Sequence, residues 1–180
     1  MSRFSIQNYD SLTDPKVKAI YEEIRMELGF GIVPNLFKSM AICPNFLEAN
    51  WKKFRSIILQ GEIPRTLKEM IGVAISQANC SEYALKVHLH GLSVLGISEQ
   101  VLETLISDFA NCPLPEREKA VIHFGLLAAT EAQKLQEKDF QTLREYGLID
   151  TEIFEIIATA NLFTGINQYT NAIALEVDSL

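Results

Sequence analysis

Positive charge is scarce and scattered. Sixteen Lys and Arg stand against 23 Asp and Glu, a formal −7 over 180 residues, and no basic cluster occurs. Phosphate backbones and anionic bilayers are gripped by concentrated cationic charge, so a nucleic-acid or membrane partner is not expected. Cysteine is sparse as well: the three, at 43, 80 and 112, form no CxxC pair, and any single disulfide would strand the third. That odd count suits a reducing compartment and predicts a cytoplasmic protein. The opening MSRFSIQNYD lacks the continuous apolar run of a signal peptide. Glycine-rich nucleotide loops and the GxSxG nucleophile turn are missing, so no cofactor is expected. The only close pair of metal-ligand type, His88 and His90, diverges on a helix, so no metal site is expected either.

Strand signals are nearly absent too. No stretch alternates β-branched and polar residues, and neither Asn-Gly nor Asp-Gly occurs. What remains is 48% hydrophobic and 22% charged, ordinary globular composition in a chain of one-domain length. With no linker or shift of composition, residues 1–180 read as a single domain. One stretch, Ile156 to Leu175, runs twenty residues without a charge. Its Asn161, Asn167, Gln168, Asn171 and three threonines are too polar for hydrocarbon, so it reads as a buried helix.

Helix signals fill the gap left by strands. Asp14-Pro15 opens a helix that Gly29 and Gly31 stop near Leu28; Pro34 and Pro44 open the next two, to about 40 and 60. Further helices are predicted near 65–79, 81–95, 98–109, 116–131, 135–145 and 151–176. The fold class is therefore all-α, seven to nine helices with no sheet, centred on the hairpin 65–95 and the last helix. In the first arm of that hairpin Leu67, Met70, Ile71, Ala74, Ile75 and Ala78 share one face.

Glu69 lies opposite that stripe, with Val73, Ser76 and Cys80 within about 40° of it. On the second arm Ser81, Ala84, His88 and Gly91 share a face. An antiparallel hairpin lets Glu69 approach His88, and a carboxylate beside an imidazole fixes its tautomer and builds a proton relay. An ordinary polar contact between helices is the bland alternative. Cys80 sits near a helix N-terminus, where a thiol's pKa falls, but a half-buried packing thiol explains it as simply. Tyr83 could point its hydroxyl into a pocket or be a buried aromatic. His90, about 160° round the helix from His88, is expected at the surface or a subunit contact. His123 is expected in the core or an interface, and Cys43 and Cys112, each before a proline, look structural. Asn161, Thr164, Gln168 and Asn171 make an uncharged stripe on the last helix, read as a subunit seam in preference to a pocket wall.

The segment Glu69 to Gly96, EMIGVAISQANCSEYALKVHLHGLSVLG, resembles the core motif of the carboxymuconolactone decarboxylase and alkyl hydroperoxidase D (AhpD)-like proteins. That motif has a glutamate, eleven residues, then Cys-x-x-Cys-x-x-x-His. Glu69 and His88 match its glutamate and histidine, Asn79 and Glu82-Tyr83 match further positions, and residues 65–96 hold the motif. Ile32 to Asn35, Ala41 to Pro44 and the final helix are similar to its flanks. The resemblance implies the AhpD-like helical fold and a homo-oligomer, trimer or hexamer. It also implies a peroxidase-type oxidoreductase or decarboxylase. The family's two redox cysteines, however, fall on Ser81 and Ala84, and Cys80 stands where the family often has glycine. One thiolate attacks peroxide and a second resolves the sulfenic acid, so dithiol peroxidase activity is expected to be lost. A Glu69–His88 relay acting on a small organic acid, lactone or hydroperoxide is the enzymatic expectation. Its alternatives are a non-catalytic oligomeric interaction protein that keeps the fold, or a one-cysteine peroxidase using Cys80.

Overall fold

The computed structural model describes residues 2–179. Among these residues the regular structure is helical: α1 (Pro15–Leu28), α2 (Asn35–Met40), α3 (Pro44–Phe54), α4 (Arg65–Ala78), α5 (Glu82–Val94), α6 (Glu99–Ser107), α7 (Glu116–Thr130), α8 (Glu137–Glu145) and α9 (Asp150–Ala172). Local sequence explains most of the boundaries. Asp14 accepts a hydrogen bond from the Lys16 amide at 2.8 Å with Pro15 at the first position of α1, and Ser98 caps α6 by accepting from the Val101 amide. Besides α3, which ends at Phe54 and not at the expected end near 60, the two ends of α9 differ from expectation. Asp150 does not cap α9. Its carboxylate pairs with Arg144, and Glu152 accepts from the Ile149 amide instead. The helix also stops at Ala172, four residues short of the expected end, where Ala174 adopts a left-handed φ of 50°.

Helix α4 is the hub, packed by α5, α7 and α9, with α6 across its end. The expectation of a single apolar stripe opposite Glu69 is therefore incomplete. Lys68, Glu69, Gly72, Val73 and Ser76 are buried along with Leu67, Met70, Ile71 and Ile75, because neighbours close on the helix from every side. The hairpin and last helix sit at the centre as expected, and α7 joins them.

Between α3 and α4 the chain makes one π-helical turn, Arg55–Leu59. Such a turn leaves carbonyls without their usual partners. Lys68, 1% exposed, supplies them: its ammonium donates to Ile57 O at 2.7 Å and Gln60 O at 2.6 Å, and pairs with Glu155 of α9. Glu155 in turn accepts from the Glu62 amide at 2.9 Å. A buried ammonium costs several kcal/mol unless paired and hydrogen-bonded, and here it is both. The turn ends α3 so that Phe54 faces the pocket described next.

Candidate functional site

Helices α4 and α5 bring Glu69 and His88 together as the helical arithmetic predicts. His88 Nδ1 lies 2.6 Å from Glu69 Oε2, with both side chains buried. Because an ionised carboxylate only accepts, Nδ1 carries a proton, and in the neutral imidazole Nε2 then holds the lone pair. Nε2 has no hydrogen-bond partner among the described residues. Burial alone would push the Glu69 carboxyl up. The hydrogen bond and charge of His88, then the charge and bond of Arg65, outweigh it and hold the carboxyl below its ordinary value.

Arg65 stands one turn before Glu69 and donates to its Oε1 at 3.3 Å and to Leu28 O at 3.0 Å. Its guanidinium lies over the Phe30 ring, 5.8 Å from the centroid. Phe30 is aimed there by the glycines that end α1: Gly29 and Gly31 take φ of +85° and +69°, open to glycine at little cost, and turn the ring inward against His90. His90 is half-buried against Phe30, so of its two expected places the open surface does not describe it.

The imidazole needs room, and Gly72 provides it. A Cβ there would lie 2.5 Å from His88 Cε1 and 2.6 Å from Nε2. From the other side Phe163 of α9 meets the imidazole edge-on, centroids 4.4 Å apart. Gly72→Ala is expected to displace the ring and break the bond to Glu69, read as loss of the downfield Nδ1 proton signal in NMR. Survival of that signal would show that the hairpin tolerates the methyl.

Beside the pair opens a pocket of about 440 Å³, counting its mouth. Phe30, Phe37, Phe54, Val87, Phe163 and Ile166 give it an apolar wall, with Ala84, Tyr83, Glu69 and His88 on the hairpin side. Ala84 lines it, whereas Ser81 is buried behind it and its hydroxyl lies 3.3 Å from that of Thr170. The Tyr83 ring lines the pocket too. Its hydroxyl is committed elsewhere, donating to Asp178 at 2.8 Å and accepting from the Leu36 amide at 2.9 Å. Burial, and then the Asp178 charge and hydrogen bond, push that phenol well above its ordinary value.

The remaining candidates lie apart. Cys80 is exposed with a left-handed φ of 50° and faces a separate surface cleft with Thr170, Asn171 and Val177. That φ is the physical reason glycine would suit the position. Cys43 is exposed at the start of α3, and Cys112 is buried against Thr104. His123 is exposed beside Asp139 and Thr142, not in the core, because α7 turns that face outward. On α9 the buried amide is Asn167, paired with Ser76. Asn161, Gln168 and Asn171 are exposed, so they form no buried network, and Thr164 bonds back to Ala160 O. Among the described residues no group of three or more His, Cys, Asp or Glu could hold a metal ion, and no helix is long and apolar enough to cross a membrane. Arg65, Gly72, Phe30 and Phe163 belong to the site without having been expected there from sequence. Only Arg65, four residues before Glu69, carries a local signal.

A glutamate–histidine hairpin at the centre of an all-α domain defines a class of protein. Residues 44–110 match the model of the carboxymuconolactone decarboxylase family, a span that includes Glu69 and His88. No curated protein matches the chain. Among solved structures, an alkylhydroperoxidase AhpD core, an uncharacterized peroxidase-related protein from Ralstonia eutropha JMP134, superposes with a TM-score of 0.89 at 25% identity. That match covers 99% of this chain and 93% of the other. A peroxidase-related protein from Silicibacter sp. TM1040 gives 0.84 at 24% identity, over 93% and 88% of the two chains. The debrominase Bmp8, solved in complex with 2,3,4-tribromopyrrole, shares the fold at 0.82 and 20% identity, over 98% and 91%. The chain has the AhpD-like all-α fold, and its segment 44–110 is similar to the carboxymuconolactone decarboxylase family.

Proposed function

We propose that the protein is an enzyme that moves a proton on a small organic molecule through Glu69 and His88, without dithiol chemistry. The observation that carries the reading is the 2.6 Å bond between the two at the wall of an apolar pocket. In this scheme Nε2 takes a proton from the bound substrate, the imidazolium is stabilised by the Glu69 carboxylate, and Nε2–H returns the proton to another substrate atom. Arg65 is a positioning residue that keeps Glu69 ionised and aimed, and Tyr83 anchors the wall through Asp178. The test is a turnover screen of lactones, hydroperoxides and small organic acids with wild type and His88→Gln. Turnover that needs His88 supports the relay. Turnover indifferent to it overturns the relay.

The lowered Glu69 value also sets a pH dependence. A carboxyl whose folded value lies below its unfolded one, about 4.3, adds stability that is complete above the unfolded value. That stability is lost as pH falls through the folded value. The stability gap between wild type and Glu69→Gln is therefore expected to be full at about pH 6 and to shrink below about pH 4. Urea melts across that range measure it, and a gap that does not change with pH would show that the Glu69 charge contributes nothing.

We further propose that the chain assembles with itself and works in the cytoplasm, where its three free thiols stay reduced. One exposed face of α9 supports the assembly. Phe154, 71% exposed, is followed at helical spacing by Asn161, Gly165, Gln168 and Ala172, all exposed and all uncharged. A charge-free stripe headed by a phenylalanine suits a seam between copies, and a trimer or hexamer would cover it. Light scattering at micromolar concentration is expected to give a mass well above 20.2 kDa, and a clean monomer would remove the seam.

A further inference from the structure

We infer that the pocket takes a neutral, ring-bearing molecule offering one weakly acidic O–H or N–H, and that it turns carboxylates away. The inference rests on the relay reading of the same site and narrows its substrate class. Its first support is the charge around the pocket. Glu69 is buried at the wall, and no lysine or arginine lines the cavity. Arg65, the cation that touches the pair, lies outside the lining and is engaged by Leu28 O, Glu69 and the Phe30 face. A carboxylate entering here would leave water, meet a like charge in a poorly screened site and find no counter-ion.

The second support is the supply of free polar atoms. Tyr83 spends its hydroxyl on Asp178 and Leu36, and Nδ1 of His88 is held by Glu69. The acceptor without a protein partner is Nε2 of the neutral imidazole, so the occupant supplies a donor to it. A second polar group would be stranded against apolar wall. The third support is shape. Phe30, Phe37, Phe54 and Phe163 offer ring faces and edges to a flat guest. The 440 Å³ includes the open mouth and the enclosed part is much smaller, so the guest inferred is small, one ring with short substituents.

Three probes that share one ring test this in calorimetric titrations of the full chain at pH 7: 4-methylphenol, toluene and 4-methylbenzoate. The phenol is expected to bind tightest, with toluene weaker for lack of the hydrogen bond. The benzoate should be weaker than the phenol by about tenfold or more. In parallel NMR spectra the phenol is expected to shift the His88 ring signals. Four results would each overturn the inference. They are benzoate binding as tight as the phenol's (which would point to the unpartnered Arg65 Nη2), toluene binding as tight as the phenol's, no binding of any probe at millimolar concentration, and binding that leaves His88 unmoved. The readout needs no turnover. The expected order in a protein that transforms nothing would remove the relay and keep this selectivity, whereas a winning benzoate would do the reverse.

Discussion

Glu69→Gln and His88→Gln are each expected to lower turnover by about 10²–10⁴-fold, the range a positioned general base contributes. The double variant is expected to fall no further than the worse single one. The reason lies in the wiring. Glu69 stands at the pocket wall, but its Oε2 is bound to Nδ1 and its Oε1 to Arg65, so it is placed to act through His88. Removing the carboxylate frees the imidazole to take the wrong tautomer and leaves its cationic form unsupported. Removing the imidazole leaves the carboxylate nothing to act through. Groups that act as one unit lose their effects together. Glutamine keeps the volume at both positions and still reaches a hydrogen bond, so circular dichroism is expected to report an intact helical fold. Losses that multiply in the double variant would mean two independent contributions, and the relay would have to be abandoned.

The second large effect is a gain. Peroxide consumption by the unaltered chain, coupled to a dithiol reductant, is expected at background, and Ser81→Cys with Ala84→Cys is expected to raise it to a measurable rate. The two positions lie three residues apart at the start of α5, neighbours on the helix surface as a disulfide requires. The one at 84 lines the pocket and the one at 81 sits buried behind it. A thiolate attacking the peroxide takes one oxygen as sulfenic acid and releases the alcohol. The second thiol then closes the disulfide and expels water, and the external dithiol returns the two electrons. The helix N-terminus lowers the thiol pKa, and His88 stands one turn beyond residue 84 to manage the proton. Should the unaltered chain consume alkyl hydroperoxide, Cys80→Ser divides the explanations. Loss of activity would assign a one-cysteine route to the exposed Cys80, and an unchanged rate would contradict the requirement for a thiolate altogether.

Helix boundaries are legible because they are written locally, in Asp14-Pro15, in Gly29 and in Ser98, and the pairing of Glu69 with His88 follows from rotation along two adjacent helices. What stays hidden depends on packing between distant segments. Nothing near Phe163 announces that it meets the imidazole of His88, and the turn that aims Phe30 shows only as a helix stop. The Glu69 face of α4 reads as an outer face because periodicity reports contrast along one helix, not how many neighbours surround it. His123 shows the converse: an apolar run around it leaves core and interface both open, and α7 carries that side chain on its open side, which removes the core. Cys80 can be located at the helix start, but its direction is fixed by a left-handed backbone angle that no spacing rule reveals.

The link from Lys68 through Glu155 to the Glu62 amide joins a corner to a helix more than eighty residues further along the chain. The carbonyls of Ile57 and Gln60 accept from Lys68, and the amides of Glu62 and Ile63 donate to Glu155 of α9, whose carboxylate also pairs the lysine. Opening free energies of these amides therefore belong to the α9 cooperative unit and not to the neighbouring α3, although α3 is adjacent in sequence. A contact of such high sequence separation is expected to close late, once the hub has assembled. Phe54, the last residue of α3, leads directly into that turn and lines the pocket. The apolar side of the cavity is thus expected to mature in step with the final helix.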